Sequence, residues 1–217
     1  MQHLVAPSLL AANFLRLEDD IRIVNRSEAD MFHIDVMDGN FVPNISFGFS
    51  IIRQIKSIAE KPLDVHLMIS RPDIYLEKFR EAGADWLSVH YEACDHLHSS
   101  IQRIKKLGMK AGVVVNPHNN IELIRDVIPD IDYVLLMSVN PGFGGQHFIE
   151  STYGRIEKLT GIKQELNPDL LIEVDGGIDL KNAGKLVKCG VNILVTGSTV
   201  FRSKDPVETI SKLKHPF

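Results

Sequence analysis

The chain has 217 residues, 44% hydrophobic and 24% charged, with 24 Lys+Arg against 28 Asp+Glu for a net charge of −4. This length predicts one domain over residues 1–217, and the composition excludes disordered, collagen-like and membrane-embedded chains; the acidic balance excludes a nucleic-acid partner. Cys94 and Cys189 form no C-x-x-C, and Met1–Leu10 has no basic leader or long apolar run, so a reducing cytoplasm is expected.

Short β-rich apolar runs recur along the chain. Leu4–Leu9, Met31–Val36, Leu63–Ile69, Trp86–His90, Ala111–Val115, Tyr133–Met137, Leu170–Val174 and Ile193–Val195 read as strands. Helical periodicity marks Arg16–Asn25, Ser99–Leu107, Ile121–Ile128, Tyr153–Glu165 and Leu180–Lys188. Gly83, Gly108 and Gly190 sit where helices should end. Strands alternating with helices argue for a parallel sheet covered by helices. About eight βα units in a chain this short suit a single (β/α)8 TIM barrel better than a doubly wound sheet. No G-x-G-x-x-G follows the first strand, which weakens a dinucleotide-binding reading further.

Buried parallel strands usually read as continuous apolar runs. Three of these strands carry polar residues at alternate positions. His33, Asp35 and Met37 share one face of the second strand, Asp64, His66 and Met68 one face of the third, and Glu173 and Asp175 one face of the seventh. The outward face of a barrel strand packs on helices, so the polar set must point inward. It also sits towards the carboxyl ends of the strands, where barrel enzymes build their sites. His33, Asp35, His66 and Asp175 would satisfy one another best around a divalent cation, since imidazole nitrogen and carboxylate oxygen suit Zn2+, with Mn2+ and Fe2+ also compatible. Asp64 and Glu173 lie one layer deeper, either orienting the ligands or forming salt links at the barrel floor. His90 ends the fourth strand and reads as structural.

Three segments are rich in glycine. Asn140-Pro141-Gly142-Phe143-Gly144-Gly145-Gln146 follows the sixth strand, Asp175-Gly176-Gly177 the seventh and Thr196-Gly197-Ser198 the eighth. Loops after strands seven and eight form the usual phosphate site of such barrels. Backbone N–H groups of Gly176, Gly177, Gly197 and Ser198 are therefore candidates to hold a dianion.

Ala6-Pro7-Ser8-Leu9-Leu10, His33 to Gly39, Phe41-Val42-Pro43-Asn44, Leu63 to Met68, Asn140 to Gln146 and Glu173 to Gly177 together resemble the ribulose-phosphate 3-epimerases, in order along almost the whole chain. The resemblance implies a TIM barrel of the ribulose-phosphate-binding type and reversible inversion at C3 of D-ribulose 5-phosphate to D-xylulose 5-phosphate, a step of the pentose phosphate pathway. It implies one divalent metal ion per chain, Zn2+ foremost and Fe2+, Mn2+ or Co2+ as alternatives, with no organic cofactor. Metal ligands fall on His33, Asp35, His66 and Asp175, the proton acceptor on Asp35 and the proton donor on Asp175. Substrate contacts fall on Ser8, His66, Gly142, Phe143, Gly144, Gly145, Asp175, Gly176, Gly177, Gly197 and Ser198. Met37, Met68 and Met137 match a methionine cluster around the enediolate. A small phosphorylated ketose is the expected partner, and a homo-oligomer, dimer or hexamer, the expected assembly. Phe49 and Ser50 depart from the family pattern after Gly48, where proline is common, as does Thr199, where alanine is common.

The chemistry fits these residues independently. Epimerising a carbon beside a ketone needs a base on one face, an acid on the other and stabilisation of the enediolate charge. A Schiff-base aldolase would need a lysine at an inward strand end, whereas Lys61 and Lys110 lie at strand starts. D-Allulose-6-phosphate 3-epimerase is an alternative, although Gly177 favours the pentose. An alternative of another class is a non-catalytic phosphosugar-binding protein with a structural metal.

Overall fold

A computed structural model describes residues 3–217. Eight strands, β1 (Leu4–Pro7), β2 (Phe32–Met37), β3 (Leu63–Met68), β4 (Trp86–His90), β5 (Lys110–Val115), β6 (Tyr133–Met137), β7 (Leu171–Asp175) and β8 (Ile193–Thr196), pair in parallel in the order β1-β8-β7-β6-β5-β4-β3-β2. A parallel bridge between Ser8 and His33 joins the two ends of that order, so the expected barrel is present. Around it lie α1 (Leu17–Arg26), α2 (Phe49–Ile58), α3 (Leu76–Ala82), α4 (Leu97–Lys106), α5 (Thr152–Leu166), α6 (Ala183–Lys188), α7 (Ser198–Phe201) and α8 (Pro206–Lys214). Among the described residues no helix is long and apolar enough to cross a membrane. Both cysteines are free.

The alternation within each strand decides where the core sits. Ile34 and Val36 of β2, Val65 and Leu67 of β3, and Ile172 and Val174 of β7 join one large outer cluster with helix residues such as Ile21, Ile55, Phe79 and Leu186. Inside the barrel, Ala6, Met31, Ile193 and Val195 pack together on one side, and Val114, Leu135, Met137 and Val139 on another. Met37 and Met68 form a third apolar group with Val42 towards the carboxyl ends of β2 and β3, and polar residues fill the positions between. Burying one apolar side chain is worth about 1.5–3 kcal/mol, so the outer cluster dominates stability and leaves the interior free for chemistry.

Strand ends differ from expectation by a residue or two, as hydrogen-bonded ladders do from apolar runs. The stretch from Ile121 is a 3-10 helix, Ile121–Asp130, rather than an α-helix; Pro129 lies inside it and supplies no N–H. The helix expected from Leu180 begins only at Ala183, because Asp179 accepts from the N–H groups of Lys181 and Asn182 and holds them in a turn. Helices α2, α3, α7 and α8 were outside the sequence expectation. The glycines at 83, 108 and 190 do end helices, with φ of +110°, +76° and +103°.

Tyr133 crosses the barrel interior and is fully buried. Its register partner on β5 is Gly112, where a Cβ would lie 2.3 Å from the Tyr133 ring. The ring has space only because residue 112 has no side chain. Gly112→Ala is therefore expected to cost about 1–3 kcal/mol through overpacking. A urea denaturation midpoint equal to that of the unmodified chain would contradict this.

Candidate active site

The polar faces of β2, β3 and β7 converge inside the barrel. Register pairs His33 with Asp64, Asp35 with His66, and Met37 with Met68, so β2 and β3 present matched rows. Asp175 arrives from β7 beside Met137 of β6. One donor atom from each of His33, Asp35, His66 and Asp175 lies within 4.8 Å of the others. His33 Nε2 is 3.4 Å from Asp35 Oδ1, and His66 Nδ1 is 3.3 Å from the same oxygen and 4.0 Å from Asp175 Oδ2. A second cluster, His33, Asp64 and Glu173, lies directly behind.

A divalent cation suits this arrangement on the chemistry of the donors. His33 Nδ1 is 2.6 Å from Asp64 Oδ2, which in turn accepts through Oδ1 from Tyr133 Oη at 2.9 Å. His33 Nε2 is buried with no hydrogen-bond partner and faces the donor set. A histidine fixed through Nδ1 by a carboxylate, with Nε2 free, is the usual way an imidazole is presented to a metal. Two imidazoles and two carboxylates also match the preference of Zn2+ and similar ions. The structure favours Asp64 as the group that orients His33 rather than a salt link at the floor.

The surroundings separate the acids. Burial alone would raise Asp35, but the charge of nearby His33 and the contact with His66 hold it well below the usual carboxylate range. Burial, reinforced by the Asp35 charge, pushes Asp175 up to about 7. Burial and the neighbouring Asp64 charge likewise push Glu173 well above the usual carboxylate range. His33 is held well above the usual histidine value: Asp35 and Asp64 outweigh the effect of its burial. Burial lowers His66.

A cleft of about 580 Å³, including the part open to solvent, lies over this cluster. That is within the range of small-molecule sites. Asp35, Asp175, Met37, Met68 and Met137 line it, with Ser8, Gly142, Phe143, Gly144, Gly145, Gly176, Gly177, Gly197 and Ser198. His33 and His66 are fully buried alongside. Thus every residue singled out from the sequence comes to one place. The lining contains no lysine or arginine among the described residues, so an anion there would be met by backbone donors and uncharged side chains such as Ser198. Gly177 has φ +63°, and a Cβ on it would meet the Phe148 backbone nitrogen at 2.5 Å. Only glycine lets these two loops lie so close.

Several contacts were not read from the sequence. Ser8 Oγ donates to Asp35 Oδ2 at 2.5 Å, so this serine also positions a carboxylate. Asn44 Nδ2 donates to the Gly142 carbonyl, tying the loop after β2 to the glycine loop after β6. The Arg155 guanidinium donates to the carbonyls of Val115, Asn116 and Met137, and so fastens the carboxyl ends of β5 and β6. Such contacts depend on packing between distant segments. Neither a motif nor a spacing signals them.

Residues 4–201 match the sequence model of the ribulose-phosphate 3 epimerase family. Ribulose-phosphate 3-epimerase of Bacillus subtilis (strain 168) is 50% identical over 211 residues, covering 97% of either chain. The protein of that name from Aquifex aeolicus (strain VF5) is 48% identical, covering 97% of this chain and 95% of its own. Among solved structures, KGPDC from Streptococcus mutans superposes with a TM-score of 0.76 at 12% identity, covering 100% of this chain and 97% of the other, a likeness of fold alone. With the family match spanning nearly all of the barrel, the chain belongs to the ribulose-phosphate 3 epimerase family.

Proposed function

We propose that this protein is a metal-dependent ribulose-phosphate 3-epimerase that interconverts D-ribulose 5-phosphate and D-xylulose 5-phosphate. The observation that carries the reading is the His33, Asp35, His66 and Asp175 donor set, directly under a cleft lined by glycines. Those four residues would hold the ion. Bound there, it supplies Lewis-acid stabilisation of negative charge on the substrate's carbonyl and neighbouring hydroxyl oxygens.

The chain's own residues do the rest. Asp35, the stronger acid of the two, removes the proton from C3 as a carboxylate, and Asp175, the more readily protonated, delivers one to the opposite face. Two acids whose surroundings push their pKa values apart are what an acid/base pair requires. In the reverse direction the roles exchange, so each turnover leaves one of the two protonated. Ser8 holds Asp35 Oδ2 and thereby the direction of the carboxylate. Met37, Met68 and Met137 are all buried and give the reacting carbon an apolar setting that excludes water. Gly144, Gly145, Gly176, Gly177, Gly197 and Ser198 would grip the phosphate, and Gly142 and Phe143 would border the sugar.

Three outcomes follow. Metal should bind at about one ion per chain, and His66→Ala should lose most of it. Asp35 and Asp64 favour the protonated His33 imidazole, whereas a metal takes the neutral ring, so binding displaces a proton. Zn2+ affinity should therefore fall as pH falls, by about tenfold per pH unit for one linked proton. Titration of chelator-stripped protein across neutral pH measures both, and a metal-free, fully active preparation would refute the reading.

Gly197→Val places a branched side chain whose Cβ lies 3.2 Å from Ala11 Cβ and 3.8 Å from Ser8 Cβ. KM for the phosphorylated sugar should rise roughly 10–100-fold, the worth of one hydrogen bond to a charged group. Steady-state assays with both D-ribulose 5-phosphate and D-allulose 6-phosphate test this and the choice of sugar together. An unchanged KM would put the phosphate elsewhere.

Asp35→Asn and Asp175→Asn should each abolish interconversion, yet each leaves a carboxylate facing one epimer. In D2O the two variants should then exchange the C3 proton of different sugar phosphates. NMR of metal-retaining variants reads this directly, and exchange from the same epimer in both would show one residue serving both faces.

A further inference from the structure

His90 is the last residue of β4 and is fully buried. Its Nε2 lies 2.9 Å from Nε2 of His66. Two imidazole nitrogens at that separation share a single proton, one ring donating and the other accepting. Phe41 packs on the His90 ring with centroids 4.6 Å apart, which holds the ring in place. Nδ1 of His90 has no hydrogen-bond partner and faces Glu92 Oε2 at 3.7 Å. Glu92 Oε1 accepts from Asn116 Nδ2 at 2.7 Å.

There are two ways to place the shared proton. If His90 donates, its Nδ1 turns a lone pair towards the Glu92 carboxylate, while His66 carries its proton on Nδ1 and points it into the donor set. That arrangement sets two acceptors against each other 3.7 Å apart at the Glu92 end, and at the other end it lets His66 Nδ1 donate to Asp35 Oδ1, which suits the site without a cation but blocks a metal ligand. If His66 donates, His90 turns an N–H towards Glu92. His66 Nδ1 is then a lone pair 3.3 Å from Asp35 Oδ1 and 4.0 Å from Asp175 Oδ2. Only this second arrangement both turns an N–H towards Glu92 and leaves His66 Nδ1 bare for a cation seated between it and the carboxylates.

We propose that His90 is a positioning residue that accepts the Nε2 proton of His66 and so holds His66 in the tautomer whose Nδ1 can bind a metal. Glu92, steadied by Asn116, selects this state by facing His90 Nδ1. The two histidines of the donor set are then oriented differently: His33 by a carboxylate, Asp64, and His66 by a neutral imidazole. The inference rests on the metal-binding reading of His66.

The test uses the full chain, stripped with a chelator and reloaded with Zn2+. In 15N NMR of the Zn2+-loaded protein, His66 should carry its proton on Nε2; a proton on Nδ1 would overturn the proposal without any substitution. In a competition titration His90→Leu should bind Zn2+ about 10–100-fold more weakly. His90→Gln can place an amide oxygen where Nε2 was, and should recover most of that loss. For both variants kcat should return towards normal at saturating Zn2+. A folded His90→Leu with unchanged Zn2+ affinity, or a Gln variant no better than Leu, would overturn the idea. His33→Ala separates the two claims: unchanged Zn2+ binding there removes the metal site itself, while loss there beside an unaffected His90→Leu removes only the role of His90.

Discussion

The interior of this barrel holds ionisable groups that cannot reach water. His33, Asp64, His66, His90 and Glu173 are all fully buried, and Asp35 is nearly so. An isolated buried charge is prohibitively costly, so these groups are tolerable only as an interlocked set. Asp64 takes hydrogen bonds from His33 and Tyr133, Asp35 is held by Ser8 and His66, and His90 is held by His66. Glu173 lies beside His33 and Asp64, and burial with the Asp64 charge pushes its carboxyl well above the usual carboxylate range, which favours the neutral acid. The placement of Tyr133, and therefore the missing side chain at Gly112, follows from the need to satisfy Asp64.

This constraint separates two tasks by position. Rigid strands carry the groups that meet the reacting carbon, where an error of a fraction of an ångström is expensive. Loops after β6, β7 and β8 carry the glycines that meet the phosphate, where backbone must approach closely but few side chains are needed. The two are stitched together by Ser138, whose hydroxyl donates to the carbonyls of Asp175 and Gly176. A phosphate held by the loops would thus fix the sugar relative to strand-borne carboxylates. Binding energy from the unreactive end of the substrate can then be used to orient the reactive end.

Much of this was legible in the sequence, for a physical reason. Strand side chains alternate with period two, so polar residues at every second position of β2, β3 and β7 had to share one face. Closure of the sheet then forced that face inward. The helices were harder to read. Leu76–Ala82 is shorter than the window in which helical periodicity is measurable, and α2 has no side-chain cap to mark its start. Ile121, Ile124 and Ile128 repeat at three and four residues, a spacing that serves an α-helix and a 3-10 helix alike. His90 was read as structural because its partner depends on strand stagger. His66 pairs with Ser88 across β3 and β4, so His90 stands one full pleat further along. Nothing in the order of residues reveals that its ring leans back to His66.

Thr199 and Phe49 each secure part of the scaffold by contacts of their own. Thr199 stands in the first turn of α7, and its Oγ1 donates to the Ile178 carbonyl at 2.6 Å. That bond ties the turn after β8 to the turn after β7, the two halves of the glycine cradle. A smaller residue would leave those halves joined by packing alone. Phe49 opens α2, and its ring packs against Phe79 and Tyr75 with centroids 4.7 and 6.0 Å apart. Proline would preset the first helical turn by fixing φ. Here an aromatic cluster on the outer face anchors that turn instead, away from the carboxylates. Both side chains therefore act on how firmly the scaffold is held, and the donor set inside the barrel is reached by neither.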